Sequence, residues 1–413
     1  MSSNTGSAAK KMKPQNRILG YPDIPEVVLF YEILPRLPVK QILRFRTVCK
    51  RWCQLTNEFF FITNQTYHSI HSSSNQSAFM YRNRDGSLSV VSFEELSQYR
   101  LPPPPSPYPS WTPTMMYQGT CAGLVYGHTS FDILIFVYNL ITRRIIFVEN
   151  CHDDLLAPHG LALAFDHPPF TTYASPELMR FKLICPIDNV HNVTFKVYCS
   201  ARKEWHDTNA YVELDSKPFD WGSQFTQSNV FVKGNVYWFD DKFMVWFNVN
   251  EEVAGTILLP TNHRGITCGA IADEFISASV GACNGELSYC NITKDSKLTV
   301  WLRRNEWEKV REVSFDTIIK DNWDVLAPHA RKQGDFVTAF YRGHIVYTMS
   351  YEGGDMLMFW VVSEEGRGAR AFGINSKTME LKELSAPGLN ASFSAYPYKA
   401  ILLKNQNGDE NEL

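Results

Sequence analysis

Residues 24–61 read IPEVVLFYEILPRLPVKQILRFRTVCKRWCQLTNEFFF, and this stretch decides the architecture. Ile33, Leu34, Leu37, Val39, Ile42, Leu43, Phe45, Val48, Trp52 and Leu55 crowd one short segment. A unit this small rarely stabilises itself without disulfides, metal or a partner, so the surplus apolar surface predicts docking onto another protein. The pattern predicts three short helices. Pro38 suits the start of one, where its fixed φ helps and its missing N–H costs little. Val48, Trp52 and Leu55 fall at i, i+4 and i+7, a single helical stripe. Lys40, Arg44, Arg46, Lys50 and Arg51 take other faces. Pro35 is expected to end the first helix early or kink it.

Working outward, 413 residues with 44% hydrophobic and 14% aromatic content are enough for two or three domains with a sizeable core. The net charge of −3 asks for no nucleic acid. Charge is uneven, with a basic head on an acidic remainder. No apolar run is long enough to span a bilayer, and the polar, basic start lacks an apolar signal-peptide core. A nuclear or cytoplasmic protein is expected, with Lys10, Lys11 and Lys13 as a possible aid to nuclear entry. Nine cysteines at irregular spacing then read as reduced thiols, mostly buried as small hydrophobes. The sequons at Asn64, Asn192, Asn291 and Asn390 are expected to be unused.

From residue 76 the pattern changes to short β segments between turn residues. Gly86, Gly123, Gly234, Gly285 and Gly343 each open a run of the form G-x-[LIV]-x-[VYW], shortened by one residue at Gly123. Each glycine is a candidate hairpin turn. A second strand follows most of them, as at Phe136-Val-Tyr-Asn, Lys196-Val-Tyr-Cys, Val245-Trp-Phe-Asn, Thr299-Val-Trp-Leu and Ala371-Phe-Gly-Ile. The units run to about 50 residues, near the ~40–50 of a propeller blade. Radially arranged sheets also protect the edges of many short strands. A pair of β-sandwiches is the alternative. By symmetry, residues 400–404 are expected to pair near Phe79 and close the ring. The run 101–110, LPPPPSPYPS, reads as an extended loop. Residues 1–20 and 405–413 read as disordered tails, and 62–75 as a linker.

Two stretches carry a family resemblance. Ile24-Pro25, Glu32-Ile33-Leu34, Arg36 to Lys40, Arg44-Phe45-Arg46, Val48-Cys49-Lys50, Trp52 and Leu55 resemble the F-box in the form common in plant proteins, with one extra residue between Pro25 and Glu32. Cys121-Ala-Gly-Leu-Val, Val137 to Arg144, Gly234 to Trp238 with Trp246-Phe-Asn-Val, and Val300-Trp-Leu with Trp307 loosely resemble the kelch-like propellers that follow such F-boxes. The resemblance implies an α+β multidomain chain: a three-helix F-box over 21–61, then a large all-β domain over 76–404, a propeller of about six blades. It implies a non-catalytic substrate receptor of a Skp–cullin–F-box ubiquitin ligase, docked on a Skp-type adaptor and through it a cullin scaffold. Pro25, Ile33, Leu34, Leu37, Pro38, Leu43, Val48, Cys49, Trp52 and Leu55 would form the adaptor-facing surface or its supporting core. Alternatives are an ordinary helical cap on the next domain, a non-ligase scaffold or transcriptional co-regulator, and a propeller enzyme or lectin.

A search for chemistry yields no H-E-x-x-H, G-x-S-x-G or phosphate-binding glycine loop. His152-Asp153-Asp154 with His159 and His167 offers metal-ligand types, but in a proline- and glycine-bearing loop that gathers such residues anyway. Cys283 and Cys290 read as core thiols. Glu251-Glu252, Asp240-Asp241 and Glu364-Glu365 read as surface charges, because neighbours on a strand face opposite ways. No catalytic residue, metal or cofactor is expected. Trp221 and Trp323, in loop-like contexts, are the candidates for contacting a target protein.

Overall fold

A computed structural model describes residues 24–71, 78–82, 88–92, 98–100, 115–130, 134–141, 143–151, 160–165, 181–189, 191–214, 229–239, 243–260, 275–283, 285–293, 297–326, 356–362, 369–375, 378–384 and 395–398. The chain opens with a helical head. Pro25, in extended conformation, precedes α1 (Glu26–Val28), which widens into a π turn over Leu29–Ile33 and tightens into a 3-10 turn over Leu34–Arg36. Pro35 has no N–H to offer the carbonyl four residues back, that of Tyr31. The side-chain amide of Asn64 donates to that carbonyl instead, at 2.6 Å. Leu37 is extended and ends the helix, as Pro35 led us to expect. Pro38 then immediately precedes α2 (Val39–Phe45).

Helix α3 spans Lys50–Leu55, with Cys49 as its cap residue. Val48 therefore lies outside it, so the expected stripe shrinks to Trp52 and Leu55. A fourth helix, α4 (Phe59–His71), occupies much of the expected linker. Phe61, Ile62, Gln65 and Thr66 are its buried face. Its polar composition hid an apolar stripe that begins inside the preceding run of phenylalanines. The head's core consists of Phe30, Leu34, Val39, Ile42, Phe61 and Ile62, with Leu29, Leu37, Phe45, Trp52 and Leu55 against it. Trp52 stands edge-on to both Phe30 and Phe45, with ring centres 5.3 and 5.4 Å apart. Such edge-to-face pairs add to the area that they bury.

The remainder is all-β, in six antiparallel sheets among the described residues. The first holds β1 (Ala78–Arg82), β2 (Leu88–Ser92) and β3 (Gln98–Arg100). Next come β4 (Met115–Cys121), β5 (Leu124–Thr129), β6 (Ile135–Asn139) and β7 (Arg144–Val148). The third contains β8 (Ala162–Phe165), β9 (Phe181–Asn189), β10 (Asn192–Cys199) and β11 (Glu204–Glu213). The fourth contains β12 (Asn229–Val232), β13 (Asn235–Phe239), β14 (Phe243–Asn248) and β15 (Val253–Leu258). Strands β16 (Phe275–Cys283), β17 (Glu286–Thr293), β18 (Lys297–Arg303) and β19 (Trp307–Ser314) form the fifth. Helices α5 (Phe315–Asp321) and α6 (Trp323–Leu326) follow, then β20 (Met356–Val362), β21 (Ala369–Asn375) and β22 (Leu381–Leu384). The last strand, β23 (Ala395–Tyr398), returns to the first sheet and pairs with β1, Pro397 opposite Phe79. The order there is β23-β1-β2-β3.

Chain-consecutive sheets pack face to face through apolar side chains. Val90 and Met80 share a cluster with Phe136 and Tyr138, Val137 with Leu183, and Leu298 with Phe372; Phe195 packs against Trp238 and Phe247, and Phe239 against Tyr289. The opening strands share one side of the assembly, with β23 against β4, β4 against β8, and β12 against both β8 and β16. Six separate sheets packed in series replace the alternative of two sandwiches. One expectation on position is corrected. The strand that returns to β1 is 395–398, while residues 400–404 lie outside the described set, as do the expected tails, 1–20 and 405–413. An edge strand accepts Pro397, whose missing N–H would break a central ladder.

Turn chemistry explains the repeat. Ala122-Gly123 (φ 45° and 82°) joins β4 to β5, and Lys233-Gly234 (φ 49° and 81°) joins β12 to β13. Positive φ at both central residues defines the type I′ hairpin, whose twist matches that of its strands. Gly285 precedes β17 with φ 74°. Gly86 and Gly343 lie outside the described residues. A second device closes the outer hairpins: Arg143, Lys203, Glu252 and Met379 each hold φ between 52° and 60°. Asn139, Asn248 and Asn375 begin three of those turns, and each side-chain oxygen accepts a main-chain N–H two or three residues on. Asn side chains mimic a backbone turn in this way.

Candidate docking interface

The head's sequence holds more apolar side chains than its core takes up. Of the ten residues expected at the docking surface, Leu34 is buried, with 3% of its surface exposed. Leu37, Pro38, Trp52 and Leu55 are half-buried, and Leu37, Trp52 and Leu55 support the core. Pro25, Ile33, Leu43, Val48 and Cys49 are exposed, with Val48 at 62%. The structure thus divides the ten into supporting core and free surface. It also adds residues that the sequence reading passed over: Ile24 and Val27 are 57% and 66% exposed, and Val28 is exposed too. The signal was present in the run Val27-Val28-Leu29, where helical spacing lets only some members turn inward.

Charge and hydrogen bonding fix the frame beneath this surface. Arg51 donates Nε and a terminal nitrogen to both oxygens of Glu26, at 2.6 and 2.5 Å, tying α3 to the start of α1. That fork–fork contact holds the Glu26 carboxyl below the usual carboxylate range. Arg46 donates to the Thr56 carbonyl at 3.1 Å, and burial lowers its pKa. Thr56 in turn donates to the carbonyl of Trp52 at 2.7 Å.

On the β side, the outcome for the expected target contacts differs. Trp221 lies outside the described residues. Trp323 is not in a loop: it opens α6, and its ring packs against the cluster around Ile318, Phe372 and Leu381. Ser314 caps α5 through the Thr317 N–H, which starts a helical segment where the polar composition pointed to a loop. Other tryptophans join sheets. Trp205 donates to the carbonyl of Glu149 at 2.9 Å, Trp307 to that of Leu258 at 2.8 Å, and buried Trp238 to that of Gly160 at 2.6 Å.

Glu252, read from sequence as a surface charge, belongs instead to a network between the third and fourth sheets. His206 Nε2 lies 3.0 Å from a Glu252 oxygen, while His206 Nδ1 lies 3.1 Å from an Arg202 nitrogen. Lys182 donates to the Val249 carbonyl at 2.8 Å and sits 3.7 Å from Glu252. Arg202 has only donors, so His206 must accept at Nδ1 and donate at Nε2. This constellation crosslinks sheets.

Among the described residues, no cluster of three or more His, Cys, Asp or Glu could hold a metal. His152 to His159 and His167 lie outside them, as do Asp240, Asp241, Glu364 and Glu365. Of the described cysteines, Cys151, Cys185, Cys199 and Cys290 are buried. The Cys283 side chain falls outside the described set. Two sequons are consumed by the fold, Asn64 by its bond to Tyr31 and Asn291, fully buried, by a hydrogen bond from Thr299. No helix is long and apolar enough to cross a membrane among the described residues.

Comparison with known proteins identifies the kind of domain that the head forms. Residues 23–63 match the F-box domain. The chain is similar to two Arabidopsis thaliana proteins. It is 26% identical to an F-box protein over 80% of this chain and 77% of that one. It is 22% identical to an F-box/kelch-repeat protein over 50% of this chain and 56% of that one. The chain thus carries an F-box followed by a large all-β region, as in plant F-box proteins with a C-terminal domain.

Proposed function

We propose that this chain is the substrate-recognition subunit of a Skp–cullin–F-box ubiquitin ligase. The head docks on a Skp-type adaptor, and through it on a cullin scaffold. The β region is read as a six-bladed propeller, which supports a target protein. Face-to-face packing in chain order, opening strands gathered on one side, and the return of β23 to β1 all favour that reading. The observation that carries the proposal is the set of exposed apolar side chains on the F-box: Ile24, Val27 and Val48 are more than half exposed, and Val28, Ile33 and Leu43 are 37–40% exposed. Such a patch marks a binding surface, and a stable interface of ~1,600 Å² would use most of it.

The chain contributes no bond-making residue in this account. Its effect is proximity, raising the effective concentration of the target near the ubiquitin-loaded enzyme. Of the two tryptophans read as target contacts, Trp323 is half-buried against the cluster around Ile318 and Phe372, and Trp221 lies outside the described residues. The reading places the protein in the nucleus or cytoplasm. Affinity purification from cells with the proteasome inhibited tests it: adaptor, cullin and a ubiquitinated target are expected to co-purify. Recovery of adaptor without cullin would contradict a ligase role.

A further inference from the structure

The head's apolar cluster includes one residue from the β region among those described, Ile141. It lies in the turn between β6 and β7. The Asn139 side chain accepts the Ile141 N–H at 2.9 Å, and Arg143 holds φ 56°. The preceding residue, Leu140, is buried in the cluster formed with Val125, Phe136 and Tyr138. Two adjacent side chains therefore enter two different cores, one in the sheets and one in the head.

Two other outer turns carry Ala201 and Asn250 two residues before their positive-φ residues, Lys203 and Glu252. A β-branched hydrophobe does nothing for such a turn, which favours Asn, Asp, Gly or Ser. Its place is explained by what it touches.

We propose that Ile141 is a positioning residue, a pin that fixes the angle of the helical head on the β region. Its consequence for ubiquitin transfer, a set distance between adaptor face and bound target, rests on the ligase-receptor reading. The pin itself does not.

The test is a distance distribution by pulsed electron resonance on the full chain. Nitroxides are carried on non-natural residues at exposed Arg44 in α2 and Glu213 in β11. The wild type is expected to give one narrow distribution, Ile141→Asp one at least about twice as wide, and Ile141→Val, which restores the contact, a narrow one again. Hydrogen exchange at the Phe61 and Ile62 amides reports whether the head stays folded; if Asp disrupts it, Ile141→Ser takes its place. An unchanged width in the Asp or Ser variant with a protected head overturns the proposal. Adaptor affinity, measured in parallel, should be equal in wild type and variant. If the wild type binds no adaptor, the ligase reading fails while the distance result still decides the role of Ile141.

Discussion

Asn64 of α4 donates its side-chain amide to the main-chain carbonyl of Tyr31 across 2.6 Å. The bond answers a vacancy that Pro35 creates one turn later, and it fastens the last helix of the head to the first. An Asn just beyond the matched F-box residues thereby ties α4 to the head. Asn64→Ala should cost about 1–2 kcal/mol, because a part-buried carbonyl loses its partner. Asn64→Asp should cost more, since a carboxylate would face a carbonyl oxygen. Hydrogen exchange across residues 29–36 measures both.

Arg51 and Glu26 offer a pH-dependent counterpart. The Glu26 carboxyl is depressed by its hydrogen bonds to Arg51, so the folded state favours the charged form. The stabilising contribution is therefore complete above the unfolded carboxylate pKa and disappears as pH falls through the lower folded value. Both groups are exposed, so the effect should be small and shrink with salt. NMR titration of Glu26 should show a depressed midpoint that returns to normal in Arg51→Ala.

The tryptophan staples between sheets should rank by burial. Trp238 is fully buried and Trp205 is exposed at its hydrogen bond. Trp238→Phe should thus cost about 1–3 kcal/mol, leaving the Gly160 carbonyl without its donor, and Trp205→Phe about 0.5–1 kcal/mol. Their indole N–H groups go to different carbonyls, so the hydrogen-bond losses should add. Denaturant unfolding of both single variants and the double variant checks the order and the sum.

At the hairpins, Gly234→Ala should destabilise by about 1–2 kcal/mol, because φ 81° is costly for any residue with a Cβ. Gly285→Ala isolates that backbone cost: nothing lies within 4 Å of the added carbon. Similar losses at both positions would show that the turn conformation, not crowding, selects glycine.

Much of this architecture was legible in residues 24–61 and in the spaced glycines, since hydrophobic period and turn chemistry are local signals. Where tertiary context decides, the reading failed. Helix α4 was missed because its polar surface face outweighs the buried Phe61 and Ile62. Val48 fits a helical stripe by spacing but lies before the helix start. Trp323 sits among Asp and Asn, which mark loops, yet a Ser314 cap and a packed cluster make the segment helical. Glu252 was dismissed because a pair of adjacent carboxylates was assigned to a strand, whereas it ends a turn with positive φ and faces His206. The closing strand was displaced because apolar 400–404 attracts the eye more than a proline-bearing AYPY.

Docking of the head is the claim on which the rest depends, and substitutions on its free surface test it most directly. Leu37 and Trp52 serve the core as well, so changes there would mix folding with binding. Val48→Asp and the pair Ile33→Asp with Leu43→Asp alter exposed side chains, where stability should shift by no more than about 0.5 kcal/mol. Calorimetric titration of the full chain with a purified Skp-type adaptor should show binding by the wild type and a loss of about 30-fold or more in each variant, with unchanged thermal unfolding. Equal affinity in wild type and variants, or no binding by the wild type, would contradict the account.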